Sequence, residues 1–303
     1  MAHSEATITV TKPSMTRGYA IALTATTLWA STGIFTSYLL TNYAIAPLTL
    51  ACWRGIIVSS VLAAILAAVR PSLLRIRRQD IFFFAAYGFF GVAMFNALWI
   101  YSVSLSGAAV ATVLVYTGPA FVTIAAHWLF REPITRFKIS AIALSLAGCI
   151  LVTRAYDLTL LRLNPLGVLC GVGIGVGFAF YSIFGKLSAP RHSPWTATVY
   201  SFGFAAFFLL LTQRPTQLVS MGNAPLGWLT LFVLGAGPTL SGYALYTASM
   251  RYLPVSVASL IATLEPVITA IMAFFLLGER LSAVQLVGAL LILLGVLTLR
   301  RGE

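Results

Sequence analysis

The chain has 303 residues, 59% of them hydrophobic and only 9% charged, whereas soluble domains carry roughly 25% charged residues. That composition excludes a soluble globule and reads as an all-α polytopic membrane protein. The formal net charge of +12 does not mark a nucleic-acid binder, because the basic residues sit between apolar runs, where they bias orientation instead.

A bilayer core about 30 Å thick needs roughly 20 apolar residues in helical form. Taken in order, the apolar runs predict ten spans. The polar tail 1–17 leads into span 1 at 18–40, a run too long for a signal sequence. Span 2 covers 47–69. Span 3, at 81–103, has Asp80 as its expected N-cap. Span 4 covers 108–130, and span 5 is the short run 137–153. Span 6, at 165–186, opens with Asn164 as cap and Pro165 at its first position. Span 7, at 194–211, has Ser193 as cap. Spans 8 and 9 cover 226–251 and 254–277. Span 10, at 283–299, opens with a Ser282/Gln285 capping box, and 300–303 form a short tail.

Spans 4 and 5 recur in spans 9 and 10. Residues 108–148 return at 255–295, displaced by 147 residues without a gap: Pro119 falls on Pro266, Glu132 on Glu279, Gly148 on Gly295. The match reaches back to Ala97, Leu98 and Ser102, which fall on Ala244, Leu245 and Ser249. Matched Pro and Glu carry weight because membrane helices use them sparingly. The expected halves are 18–153 and 165–299. Lys and Arg gather on one side of the predicted spans, around Arg17, Arg75, Arg136, Lys186, Arg251 and Arg300. The other side holds Arg154, Arg162, Arg214 and Arg280. This bias predicts cytoplasmic termini. An odd number of spans per half makes the second half enter from the opposite face, an inverted duplication common among secondary transporters.

The longest connections, about a dozen residues, leave little room for an extramembrane catalytic or nucleotide-binding module. No GxxxxGK[ST] loop, HExxH motif or paired carboxylates occur, and His3 and His192 fall in the tail and a loop. No cofactor or metal is implied. Cys52, Cys149 and Cys170 lie in apolar runs and read as small core residues. In span 6, Gly167, Gly171 and Gly175 form a small-residue ridge that permits close helix contact.

Chemistry is expected where polar residues fall mid-span. Pro119 and Pro266 each remove a backbone hydrogen bond, so they predict kinks beside a central cavity. Span 4 carries Thr112, Tyr116, Pro119 and Thr123 on one stripe; span 9 answers with Ser259, Thr263 and Pro266. Span 3 carries Phe95, Asn96, Trp99 and Ser102; span 8 answers with Gly242, Tyr243, Tyr246 and Ser249. Such faces avoid lipid, and serve either as hydrogen-bonding glue between helices or as the wall of a solute site. Three ionisable residues lie within spans. Glu265 could accept an ammonium or a transported proton, or bond a neighbouring helix as the acid. Arg54 could steer a carboxylate, but snorkelling to the outer interface or a structural pair is the favoured reading. His127 reads as a packing histidine.

These residues resemble the drug/metabolite transporter superfamily in its ten-helix EamA-like branch, over essentially the whole chain. The resemblance rests on LWASTGIF at 28–35, on Trp53–Arg54, and above all on EPVITAIMAFFLLGERLS at 265–282. It implies two inverted five-helix repeats around a central cavity, with the fifth helix of each half buttressing the outside. Within the branch the chain is similar to bacterial aromatic amino-acid exporters, which implies a cavity role for Tyr116, Phe95 and Asn96. The expectation is a multi-pass bacterial inner-membrane protein exporting aromatic or other neutral amino acids by alternating access. Phe95, Trp99, Tyr116, Tyr181 and Tyr243 would wall the site beside Pro119, with Asn96, Thr263 and Glu265 at the polar end. Its partners would be the solute, the lipid bilayer and, if transport is coupled, protons. Antiport of a phosphorylated solute and a non-transporting scaffold or sensor are the competing readings.

Overall fold

The computed structural model describes residues 15–157, 164–277 and 282–299. Among these residues the secondary structure is helical, with no strand. The first half contains α1 (Met15–Asn42) and α2 (Pro47–Val69). It continues with α3 (Arg78–Ser106), which passes through a π-helical turn at Phe89–Ala93. Then come α4a (Ala108–Val115), α4b (Gly118–Phe130) and α5 (Arg136–Val152). The second half contains α6 (Pro165–Ser188), α7 (Pro194–Leu210) and α8 (Pro225–Ser249), the last with a π turn at Gly235–Thr239. It ends with α9a (Val255–Ala262), α9b (Glu265–Leu277) and α10 (Ala283–Leu299). Among the described residues, six helices are long and apolar enough to cross a membrane: α2, α3, α4, α6, α8 and α9.

Local chemistry sets the helix ends. The Asn164 side chain accepts from the backbone N–H groups of Leu166 and Gly167 at 3.0 and 3.2 Å. Ser193 accepts from Thr196 at 3.1 Å. Ser282 and Gln285 form the reciprocal box, at 3.0 and 3.3 Å. Helix α3 departs from expectation. It starts at Arg78, and Asp80 sits at its third position, accepting from the N–H of Arg77 at 3.2 Å. A carboxylate inside the first turn suits the positive end of the helix, so the helix extends beyond the apolar run.

The displacement of 147 residues reappears in the elements. It carries α4a onto α9a, α4b onto α9b and α5 onto α10, end for end, and Pro47 onto Pro194 at the starts of α2 and α7. Two corresponding pairs, α2 with α7 and α5 with α10, pack side by side and run antiparallel. Along α5 and α10, Gly295 lies against Ala141, Gly148 against Ile292, and the Gln285 side chain donates to the Val152 carbonyl at 3.0 Å. Along α2 and α7, Thr49 donates to Gln213 at 2.6 Å, Gly55 lies on Ala206, and Gly203 faces Ser59. The first helix of each half packs on the third helix of the other. Ser102 of α3 donates to the Gly167 carbonyl of α6 at 2.9 Å, and Trp29 of α1 lies against Gly242 of α8. Gly167, Gly171 and Gly175 face Ser106, Leu114 and Thr117, so the ridge is a contact surface.

Polarity is arranged as a lipid environment requires. Phe82, Trp128 and Phe275 are 83%, 79% and 76% exposed on the outside. Thr26, Thr198 and Ser102 are buried, with hydroxyls bonded to backbone carbonyls, which removes the cost of leaving them unpaired in an apolar medium.

The connections gather at two ends. At the basic end, Thr196 and Tyr200 donate to the carbonyls of Leu73 and Leu74 at 2.8 and 2.5 Å. Lys186 donates to Met250 and Leu253 at 2.7 and 3.0 Å, and His192 lies 3.6 Å from Asp80. At the other end, the Trp53 indole donates to Leu218 at 2.9 Å and that of Trp228 to Gly222 at 3.0 Å.

Candidate functional site

The site is organised by the two interrupted helices. Proline lacks an N–H, and its ring crowds the carbonyl four residues earlier. For Pro119 that residue is Val115, where α4a stops; for Pro266 it is Ala262, where α9a stops. The expected kinks are two-residue interruptions, at Tyr116–Thr117 and Thr263–Leu264, where tighter i→i+3 turns replace the α-helical pattern. The two threonines occupy the breaks and donate to Leu114 and Leu260, each at 2.6 Å. Leu114 and Leu260 also accept the backbone N–H groups of Thr117 and Thr263, at 3.1 and 3.2 Å, so each interruption stays hydrogen-bonded.

Glu265 is the first residue of α9b, directly after a break. It lies within electrostatic reach of Arg54 on α2, of Tyr116 in the α4 break, of Tyr243 on α8 and of Cys149 on α5. Arg54, Tyr116, Tyr243 and Glu265 are each half-buried. Among the described residues, neither Arg54 nor Glu265 takes part in an ion pair within 4.0 Å. The Nε of Arg54 is buried without a hydrogen-bond partner.

An aromatic cluster adjoins this group. The Trp29 ring lies 4.9 Å from Tyr243 and 4.8 Å from Tyr246; Tyr181 and Phe202 lie 5.0 and 4.8 Å from Tyr243. The edge-on geometries are those that ring quadrupoles favour. Ser182 shares a 2.8 Å hydrogen bond with Tyr246. The Trp29 indole N–H is buried and has no partner.

The nine expected site residues are not all brought together. Tyr116 and Tyr243 each lie within electrostatic reach of Glu265, and Pro119 is buried just after the interruption of α4. Tyr181 stands behind Tyr243, 2% exposed, with its hydroxyl 3.2 Å from that of Thr247. Thr263 is buried, and its hydroxyl lies 3.0 Å from that of Ser145, joining α9 to α5. Its polar atom is thus engaged in packing. Phe95 packs against Gly177 of α6. Asn96 donates to the Val92 carbonyl of the α3 π turn at 2.8 Å. Trp99 is half-buried. None of Phe95, Asn96 and Trp99 joins the ring cluster around Tyr243.

Two residues gain prominence. Trp29 belongs to the LWASTGIF stretch, but nothing in its spacing announced an inward indole. Arg54 is enclosed beside Glu265 rather than directed to the outer interface; its position two turns inside the span was the available signal. His127 is exposed on the outer face, its Nδ1 3.0 Å from the Glu132 carbonyl and away from the site. Among the described residues, no group of three His, Cys, Asp or Glu is placed to hold a metal.

The model of the EamA-like transporter family matches the chain twice, at residues 16–154 and 165–301. An uncharacterised transporter of Archaeoglobus fulgidus is 30% identical over 212 residues, which cover 68% of this chain and 74% of that protein. YicL of Salmonella typhimurium, an uncharacterised inner membrane transporter, is 24% identical over 291 residues, covering 94% and 95% of the two chains. A crystal structure 20% identical in sequence superposes with a TM-score of 0.80 over 95% of this chain and 99% of its own, a likeness of fold.

Proposed function

The chain belongs to the EamA-like transporter family, and from that premise we propose that it exports small metabolites, aromatic or other neutral amino acids, across a bacterial inner membrane by alternating access. Membership makes it a multi-pass membrane transporter of the drug/metabolite kind. The finer reading rests mainly on one observation: the half-buried Arg54 of α2, Tyr243 of α8 and Tyr116 at the interruption of α4 all lie within electrostatic reach of Glu265, which opens α9b. Rings offer a flat face to an aromatic solute, and the two charged groups offer it orientation.

The double match of the family model and the antiparallel packing of α2 on α7 and α5 on α10 support two inverted five-span halves. The ties at the basic end support a sealed cytoplasmic mouth with both termini on that side. Interrupted helices let each outer half-helix tilt on its inner half, so one mouth closes as the other opens. A phosphorylated solute would favour a second cation, and the only one that the described residues bring to Glu265 is Arg54.

Efflux from proteoliposomes loaded with a panel of labelled amino acids tests the reading. Tryptophan, tyrosine or phenylalanine should leave faster than from protein-free vesicles. Efflux of another solute class, with no amino acid moved, contradicts the substrate assignment.

A further inference from the structure

Arg54 on α2 and Glu265 on α9b lie within electrostatic reach of one another, yet form no ion pair within 4.0 Å. A buried guanidinium with an unpartnered Nε is costly unless something completes it, and so is a buried carboxylate. Tyr116 and Tyr243 lie within electrostatic reach of Glu265 as well. The Trp29 indole, edge-on to Tyr243 at 4.9 Å, also has a buried N–H without a partner.

We propose that the gap between Arg54 and Glu265 is a two-ended site for a zwitterion, the guanidinium taking a carboxylate, the carboxylate taking an ammonium, and Trp29 and Tyr243 receiving the side chain. This deepens the transport reading above and rests on it. The chemistry discriminates by completion. An α-amino acid carries both charges on one carbon and satisfies both protein groups. A deaminated acid leaves Glu265 without a cation, and an amino-acid amide leaves Arg54 without an anion. Each analogue then bears the cost of one uncompensated buried charge. Arg54 presents a planar fork matched to a carboxylate, which a lysine ammonium does not reproduce.

The full chain in proteoliposomes tests this with three probes: phenylalanine, phenylalanine amide and 3-phenylpropanoate. The unaltered protein should favour phenylalanine over either analogue by roughly tenfold or more in kcat/KM, as befits loss of one partner of a buried charge pair. Arg54→Gln should erase the preference over the amide and keep the preference over phenylpropanoate. Glu265→Gln should do the reverse. Arg54→Lys should restore part of the preference over the amide, which separates recognition from folding. Equal loss on all three probes in both variants assigns the pair to packing or gating and overturns the proposal, as do unchanged preferences. If the unaltered protein moves no amino acid but does move another solute, the transport reading itself falls. If it moves phenylalanine and its amide alike, only the two-ended site falls.

Discussion

Glu132 follows α4b, and its carboxylate crosses to the other half of the chain, accepting the backbone N–H groups of Val255 and Ser256 at 2.8 and 3.3 Å. The Ser256 hydroxyl donates to it as well, and Lys138 lies 3.6 Å away. The first N–H groups of α9a have no partner within their own helix, and a carboxylate there complements the helix dipole. Glu132→Ala strands those donors and the buried Lys138 together, so it should destabilise the fold by about 3–5 kcal/mol. The effect is a lower melting temperature in detergent, with Glu132→Gln falling in between. Equal melting of all three proteins would show that the bond contributes nothing. At the site, Tyr116→Ala removes a ring beside Glu265 and should raise the KM for an aromatic solute, with membrane insertion intact. Phe95→Ala should weaken transport less, since Phe95 packs on α6 rather than on the cluster at Tyr243. Unchanged kinetics in both variants would remove these residues from the solute's path. Glu132 was visible in the sequence only as the repeat partner of Glu279. Its role depends on a neighbour more than a hundred residues away, which no local pattern reports.

Among the helices, the clearest close approach is α5 on α10. A Cβ at Gly148 would stand 2.5 Å from the Gly288 carbonyl oxygen, and one at Gly288 would stand 2.7 Å from that of Gly148. The backbones therefore touch, as small residues in membrane helices allow. Gly148→Leu should force the pair apart and yield aggregated or proteolysed protein on size-exclusion chromatography. Gly33→Ala, with open space around its position, should leave the elution profile unchanged. Similar profiles for both would contradict the close crossing. Helix ends were largely legible, because caps are local chemistry: Asn164, Ser193 and Ser282 act as their positions suggest. The breaks were legible as to place but not extent. Pro119 and Pro266 mark them, yet only the geometry reveals that α4a and α9a end at the residue each proline crowds and pass through a tighter two-residue turn. Replacing both prolines with alanine should rebuild continuous helices and slow efflux without lowering the melting temperature. Undiminished efflux would deny the breaks a part in the transport cycle.

At the scale of the molecule, the duplication could be read from the matched Pro and Glu at a fixed displacement, and the elements repeat at that same displacement. Less legible was which mid-span residues share a space. Helical periodicity places a residue on a face but does not say which other face it meets. Thus the spacing groups Phe95, Asn96 and Trp99 with Tyr181 and Tyr243, leaves Arg54 between a carboxylate partner, the interface and a structural pair, and does not single out Trp29. The account as a whole depends on solvent reaching the break in α4 from alternate sides of the membrane. Tyr116→Cys, in a chain whose Cys52, Cys149 and Cys170 are replaced by serine, can be exposed to a charged, membrane-impermeant thiol reagent in right-side-out and inside-out vesicles. Labelling from both sides, slowed by phenylalanine, is the predicted result. No labelling from either side, with or without solute, would contradict it.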